Sequence, residues 1–374
     1  MVNPSLPSPV TWSPQDKIFV PRLRADLTDA VALLAARPYF VGQQTTGQSF
    51  VSANEIVVTM DTELTDAWNG HQEDISPAFA GVTADYWAPL PGWYLCDARI
   101  PFSYTSSTPA PFMAGFIAVV GVSSTYGPVH GPIMANGSTS ATVTPRCVDL
   151  IQQTIGGAPG GQGDFIQPLA RQDSGSAQTL SVTAFALPTV SIRWVCAVSG
   201  TQPLPVPPLT AVPSPITSAW LNANLRDAVN FLVYPPVCKA HTTSGSVASG
   251  NLSSPKTVSP GTVDVDNYAA YSAGLYTAPV SGRYLVAGQV NFASSSTTAT
   301  YACGIQVNGS TVLWGDALRF AGSGLAGGAG VTKRIRLSAG DTVQLVAAQN
   351  SGAALNLNTT ASNQTRLIVV WEGI

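Results

Sequence analysis

Three segments of this chain occur twice, in the same order, and that duplication restricts its fold more than any other feature. Leu23-Arg-Ala-Asp-Leu-Thr-Asp-Ala-Val-Ala-Leu-Leu34 returns as Leu221-Asn-Ala-Asn-Leu-Arg-Asp-Ala-Val-Asn-Phe-Leu232, and both read LxAxLxDAVxxL. Tyr86-Trp-Ala-Pro-Leu-Pro-Gly-Trp-Tyr-Leu95 returns as Tyr276-Thr-Ala-Pro-Val-Ser-Gly-Arg-Tyr-Leu285. Gly163-Asp-Phe-Ile-Gln-Pro-Leu-Ala-Arg-Gln-Asp-Ser-Gly175 aligns without gaps to Gly340-Asp-Thr-Val-Gln-Leu-Val-Ala-Ala-Gln-Asn-Ser-Gly352, and that register continues to Trp194 and Trp371. Self-similarity of this kind means that one architecture is built twice in tandem. The expected organisation is an arm and helix over 1–40, a first domain over 41–200, a Pro-rich linker over 201–215, a second helix over 216–236 and a second domain over 237–374. Six prolines in the linker favour polyproline II, at about 3.1 Å per residue. It is either a stiff spacer that holds the units apart or a strap lying along the surface.

Each unit opens with a helical pattern. Leu23, Leu27, Ala30 and Leu34 follow a 4-3-4 spacing, and so do Leu221, Leu225, Ala228 and Leu232, which is two heptads of an a/d seam. Pro21 suits a first helical turn, and Thr217 or Ser218 can cap the second helix. A helix this short is marginal alone, so it must pack on something. It either pairs with copies of itself about a symmetry axis or covers its own sheet. Equal seams in both copies favour self-association, which makes these eight residues the candidate oligomerisation contacts.

The remainder reads as short strands. The 34 Gly and 29 Pro recur as turn formers throughout, which argues against long helical bundles. Asn308-Gly309 between Cys303–Val307 and Thr311–Trp314 is the strongest hairpin signal. Arg334–Leu337 and Thr342–Val346 flank a tight Gly-Asp turn. About eight such strands per unit predict an all-β chain: two tandem jelly-roll sandwiches, each preceded by a short α-helix.

The order YxAPxxGxYL, then a strand with Asn-Gly, then LxxGDxV, then a closing apolar strand resembles the C1q/TNF-like jelly roll. Tyr276–Leu285 and Leu337–Val343 carry the likeness in the second unit. In the first, only Gly163-Asp164 of the turn survives, after the Gly-rich insertion Gly156–Gly163. The resemblance implies a homotrimer with closing strands near a threefold axis. Trp220–Leu232 is in turn similar to an LNxxLRDAxNFL segment of minor tail and other virion proteins of actinobacterial phages, where it precedes β-rich modules. Together these imply a non-enzymatic virion protein, made in the host bacterial cytoplasm. It would be a trimeric minor tail or baseplate component that meets other virion proteins and a host cell-surface glycan. The alternatives are a capsid decoration protein or head fibre, and, in different functional classes, a receptor-binding adhesin or a glycan depolymerase.

Composition removes other classes. Only 10% of residues are charged, against about 25% in soluble domains, and the net charge is −3. No basic nucleic-acid surface is expected. With mean hydropathy of +0.19, a monomer would expose apolar patches that an oligomer buries. The run Phe112–Val122 covers about half a bilayer, and the first nine residues lack a basic and an apolar signal region, so neither membrane insertion nor secretion is expected. Five scattered cysteines without a CxxC pair read as buried thiols.

His71, His130 and His241 read as loop residues at the surface or in hydrogen bonds, with no G-x-S-x-G elbow to serve. Gly156–Gly163 lacks the Lys-Ser/Thr of a phosphate-binding loop. Asp61, Glu63, Asp66, Glu73 and Asp74 could offer a carboxylate pair for glycan hydrolysis, against a solvated acidic loop. Asp264 and Asp266 share a strand face where calcium is conceivable. Trp68, Trp87 and Trp93, with Tyr86, Tyr94 and Tyr104, are either a sugar platform or core. No catalytic residue, cofactor or metal site is expected.

Overall fold

The computed structural model describes residues 33, 36–51, 55–68, 70–72, 85–104, 113–120, 141–143, 146–153, 165–172, 177–183, 187–198, 219, 226–250, 253–293, 299–315, 318–320, 327–359 and 364–374. In the first unit five antiparallel strands form one sheet. They are β1 (Tyr39–Gln43), β2 (Thr62–Asp66), β3 (Gly92–Arg99), β4 (Arg146–Gln153) and β5 (Thr189–Cys196), in the spatial order β4-β3-β5-β1-β2. A helix, α1 (Asp227–Val233), leads into the second unit. There β6 (Val237–His241), β7 (Thr262–Asp266), β8 (Gly282–Phe292), β9 (Gly327–Leu337) and β10 (Arg366–Gly373) take the matching order β9-β8-β10-β6-β7.

A second sheet faces each of these. It is centred on Phe165–Gln172 in the first unit and on Thr342–Gln349 in the second. Strands consecutive in sequence pass repeatedly from one sheet to the other, so the chain is all-β, two tandem jelly rolls. Alternation along the strands fills the cores. Tyr94, Cys96 and Ala98 of β3 enter the first core, and Tyr284, Val286 and Val290 of β8 enter the second.

The repeated APxxGxYL motif is a corner between the two sheets. Tyr94 Oη donates to the Leu90 carbonyl at 2.8 Å, and Tyr284 Oη donates to that of Val280 at 2.7 Å. Trp194 lies opposite Tyr94 and Trp371 opposite Tyr284. Their indole N–H groups donate to Pro91 O at 3.3 Å and Ser281 O at 3.4 Å. A Cβ on Gly92 would stand 2.2 Å from Trp194 Nε1, and one on Gly282 would stand 2.3 Å from Trp371 Nε1. Glycine is therefore required where the indole lies against the strand.

The Asn-Gly hairpin forms as the sequence indicates, with positive φ at both Asn308 (50°) and Gly309 (65°). The Gly-Asp turn also forms between two strands, with Asp341 N–H donating to the Ser338 carbonyl at 3.0 Å. Its flanking strands, β9 and Thr342–Gln349, belong to different sheets, so the turn is a corner and not a hairpin. Asp341 fixes it by accepting Ser338 N–H at 2.7 Å and Asn308 Nδ2 at 3.0 Å.

The units are not held apart. Their outer faces pack directly on each other because both are apolar. Residues 201–215, the Pro-rich segment, lie outside the described residues. Helix α1 sits between the units. Val233 joins the first unit's core beside Leu33, whereas Phe231 meets the Trp371 ring edge-on, with centroids 4.9 Å apart.

Candidate functional site

The seam between the units is the most developed site in the molecule. From β3, β4 and β5 come Trp93, Leu95, Val148, Leu150, Val195 and Cys196. From β6, β8 and β10 come Val237, Leu285, Ala287, Ile368 and Val370. All are buried, so strands such as β4 have apolar side chains on both faces, as strands covered from both sides do.

A buried ionic cluster crosses this apolar contact. Asp149 on β4 accepts Arg366 Nη1 at 2.7 Å and Lys239 Nζ at 2.9 Å, both from the second unit. Lys239 Nζ also donates to the Leu150 carbonyl at 2.8 Å. The side chains are 4% (Asp149), 6% (Arg366) and 14% (Lys239) exposed, so water contributes little to their solvation. Burial alone would raise the Asp149 carboxyl, but Arg366 and Lys239 outweigh it and hold the group below the ordinary carboxylate range. Glu372 makes a second crossing, accepting Arg193 of the first unit and Arg334 of the second.

The contact is directional. The first unit presents its β4 end, and the second receives it over β6 and β10, with Val265 of β7 packed alongside. Strand register gives the counterparts. Leu150 lies opposite Leu95 and Arg334 opposite Leu285, so Arg334 holds the position of Leu150 in the other copy. By the same register Lys333 holds the place of Asp149, and Arg283 that of Trp93.

Beside the seam lies a cleft of about 550 Å3, lined by Arg37, Arg193, Trp194, Trp371, Ala228 and Leu232 among others. Arg37 donates to the Leu232 carbonyl at 3.0 Å and lies 5.9 Å from the Trp194 ring centroid. Burial, with Arg193 nearby, lowers its pKa. Of the eight candidate seam residues, Ala228 and Leu232 are described. Both are half-buried and face this cleft inside one chain. Leu23, Leu27, Ala30, Leu34, Leu221 and Leu225 lie outside the described residues.

Other sequence candidates are dispersed. Tyr86, Tyr94 and Trp68 are core, Trp93 is in the seam, and Trp87 packs on Phe165. His71 departs from its expectation: it lies on a strand, is buried, and stacks on Phe40 with centroids 4.7 Å apart. His130, Glu73 and Asp74 lie outside the described residues, as does Gly156–Gly163. Asp66 accepts the amides of Trp68 and His71, and its counterpart Asp266 accepts those of Ala270 and Tyr271. Asp264 pairs with His241 at 3.0 Å. These carboxylates shape turns or hold a histidine. All five cysteines are buried free thiols. Among the described residues no group of three or more His, Cys, Asp or Glu could hold a metal ion, and no helix is long and apolar enough to cross a membrane.

Sequence reasoning missed Asp149, Lys239 and Arg366. The available signal was Asp149 itself, a single charge inside the apolar run Cys147-Val-Asp-Leu-Ile151. Such a charge is seldom buried without a partner.

No family model and no curated protein matches the chain. Among solved structures it is similar to the globular domain of zebrafish complement 1qA protein, with 10% identity and a TM-score of 0.25, over 36% of this chain and 96% of that one. It is also similar to murine APRIL, with 12% identity and a TM-score of 0.27, over 36% of this chain and 98% of that one. A second murine APRIL structure gives 13% identity and a TM-score of 0.28 over the same shares.

Proposed function

We propose that this chain is a non-enzymatic structural protein of a phage virion, a trimeric minor tail or baseplate component made in the cytoplasm of the host bacterium. The observation that carries the reading is the seam: two jelly rolls fixed to each other by an apolar contact with a buried ionic cluster at its centre. A body of that kind holds its attached partners at set positions and needs no moving part. The resemblance of Trp220–Leu232 to a virion-protein segment supports the location. The engagement of Asp61 by the Thr45 and Thr46 amides and of Asp66 by those of Trp68 and His71 supports a structural role over hydrolysis.

The test is to purify particles and image them with an antibody against the second unit. Label at the tail tip or baseplate supports the reading. Label spread over the capsid moves it to a decoration protein or head fibre, and absence of the protein from washed particles refutes a virion role.

A further inference from the structure

Docking inside the chain uses one end of each unit's inner sheet and leaves the other end open. The open ends are β2 in the first unit and β9 in the second, each the last strand of its sheet. Their charges are opposite. Strand β2 carries Glu63, whose side chain is 48% exposed, and Asp66, with Asp61 just before it. Beside them Tyr39 and Leu64 are 39% and 54% exposed, two of the large hydrophobic side chains left in solvent. Strand β9 carries Lys333, Arg334 and Arg336, and Arg283 of β8 lies directly opposite Arg336. Four of the chain's 17 Lys and Arg are thus gathered on two paired strands.

Like charges directly opposite each other weaken a strand pair. Arg283 and Arg336 are both exposed, and neither forms an ion pair among the described residues. A charge-poor protein that places this pair on a free sheet end presents a surface for an anionic partner. The first unit shows how such an end docks: its own counterpart, β4, packs on the neighbouring unit's sheet. In the open pair the apolar residues of the seam are exchanged for polar ones, Arg334 for Leu150, Arg283 for Trp93 and Thr65 for Val265.

We infer that a second copy of this chain is the partner, with β9 of one copy set against the acidic β2 end of the next. This rests on the oligomer proposed above and assigns its contact. Such a head-to-tail contact is heterologous, and it closes into a ring if the rotation permits. Arg283 and Arg336 face Glu63, Asp61 and Tyr39, where guanidinium groups both pair with carboxylates and stack on the ring. Because the contact is polar and solvated, salt opens it, whereas the buried seam inside the chain is screened far less.

Sedimentation of the full chain tests this. At roughly 50 mM salt the mass should be about threefold that of one chain, and at roughly 500 mM it should fall to a single chain. Arg283→Glu with Arg336→Glu should give the single-chain mass at both salt levels, and so should Glu63→Arg. All three substitutions in one chain exchange the charges and should restore the threefold mass. The neutral pair Arg283→Gln and Arg336→Gln should shift the dissociation to lower salt with an unchanged thermal transition, separating contact from folding. If the reversals leave the threefold mass intact, or salt does not lower it, or the combined reversal fails to restore it, this contact is wrong. The oligomer then forms through another surface such as the helix seam. A single-chain mass for the unmodified protein at low salt overturns both this contact and the trimer.

Discussion

Replacing Asp149 with Asn should separate the two units before either unfolds. The substitution keeps the shape and one acceptor of the carboxylate. It leaves Arg366, whose side chain is 6% exposed, and Lys239, at 14%, without a counter-charge. Breaking a buried pair from one side costs about 3–5 kcal/mol, because the remaining charge stays desolvated. Against a net stability of about 5–15 kcal/mol for a domain, that is a large share. The visible loss is capped by the free energy with which the units dock. Beyond that cap the units part, and Arg366 and Lys239 regain water.

Urea unfolding followed by tryptophan fluorescence is the assay. Trp93 lies in the seam and Trp194 in the first core, so undocking and unfolding report differently. The variant should lose roughly 1–2 M in its first midpoint, at about 2–3 kcal/mol per M, and show two transitions. The Asp149→Leu, Lys239→Met, Arg366→Leu triple should recover most of the loss, since a packed apolar replacement of a buried ion cluster is often neutral or stabilising. Acid supplies an independent check. Asp149 has a lower pKa folded than unfolded, so its contribution is complete above the unfolded value of about 3.9 and is lost as pH falls through the folded one. Unmodified protein should therefore lose seam stability in that acidic window, and the Asn variant should lose less there. A cost below about 1 kcal/mol, the value of an exposed pair, would refute the claim that the cluster holds the seam.

Gly282→Ala should cost about 1–3 kcal/mol, because its Cβ would meet the Trp371 indole N at 2.3 Å; a neutral result in urea titration would mean the corner relaxes freely. Tyr284→Phe removes the hydrogen bond to Val280 O and should lower stability by about 1 kcal/mol, with Tyr94→Phe matching it through Leu90 O; unequal losses would show that the two corners are not energetically equivalent. The five cysteines should resist maleimide in native buffer, since burial pushes Cys196 up to about 12 and raises the other four as well, leaving little thiolate. Rapid labelling without denaturant would contradict the packing of both cores and the seam.

What the sequence made legible was local chemistry that appears twice. The Gly, Tyr and Trp of the corner motif are spaced so that one indole, one hydroxyl and two carbonyls meet, and both copies keep that spacing. Asn308-Gly309 needs two positive φ values and announces them. The Gly-Asp turn was half legible: its residues mark a reversal, but local spacing cannot say whether the next strand returns to the same sheet or crosses to the facing one. The seam was hardest to see because it depends on contacts between residues more than 80 positions apart, such as Lys239 with Leu150. The apolar side chains on both faces of β4 did carry a trace of it, since a strand with one face in water alternates. His71 was hard to place for a similar reason: it stacks on Phe40, with three described strands between them in sequence.

The two copies diverge in polarity on the outward side of the sheet, and this accounts for a chain of two units instead of an endless stack. Residues that face the cores stay apolar, and those of the corner stay identical: Tyr94 and Tyr284, Trp194 and Trp371, Gly92 and Gly282. Residues that face outward change in polarity at four places: Trp93 becomes Arg283, Leu150 becomes Arg334, Ser191 becomes Ile368 and Thr65 becomes Val265. Had both units kept the apolar versions of both surfaces, every unit could dock on any other in the same sense. A head-to-tail contact of that strength, if it does not close, grows into a filament. Putting the apolar donor end on the first unit and the apolar receiving face on the second allows one such contact per chain. It also leaves at the outer ends a polar, charged pair whose strength depends on salt. The inner faces fix the fold, and the outer faces decide how many units may join and how tightly.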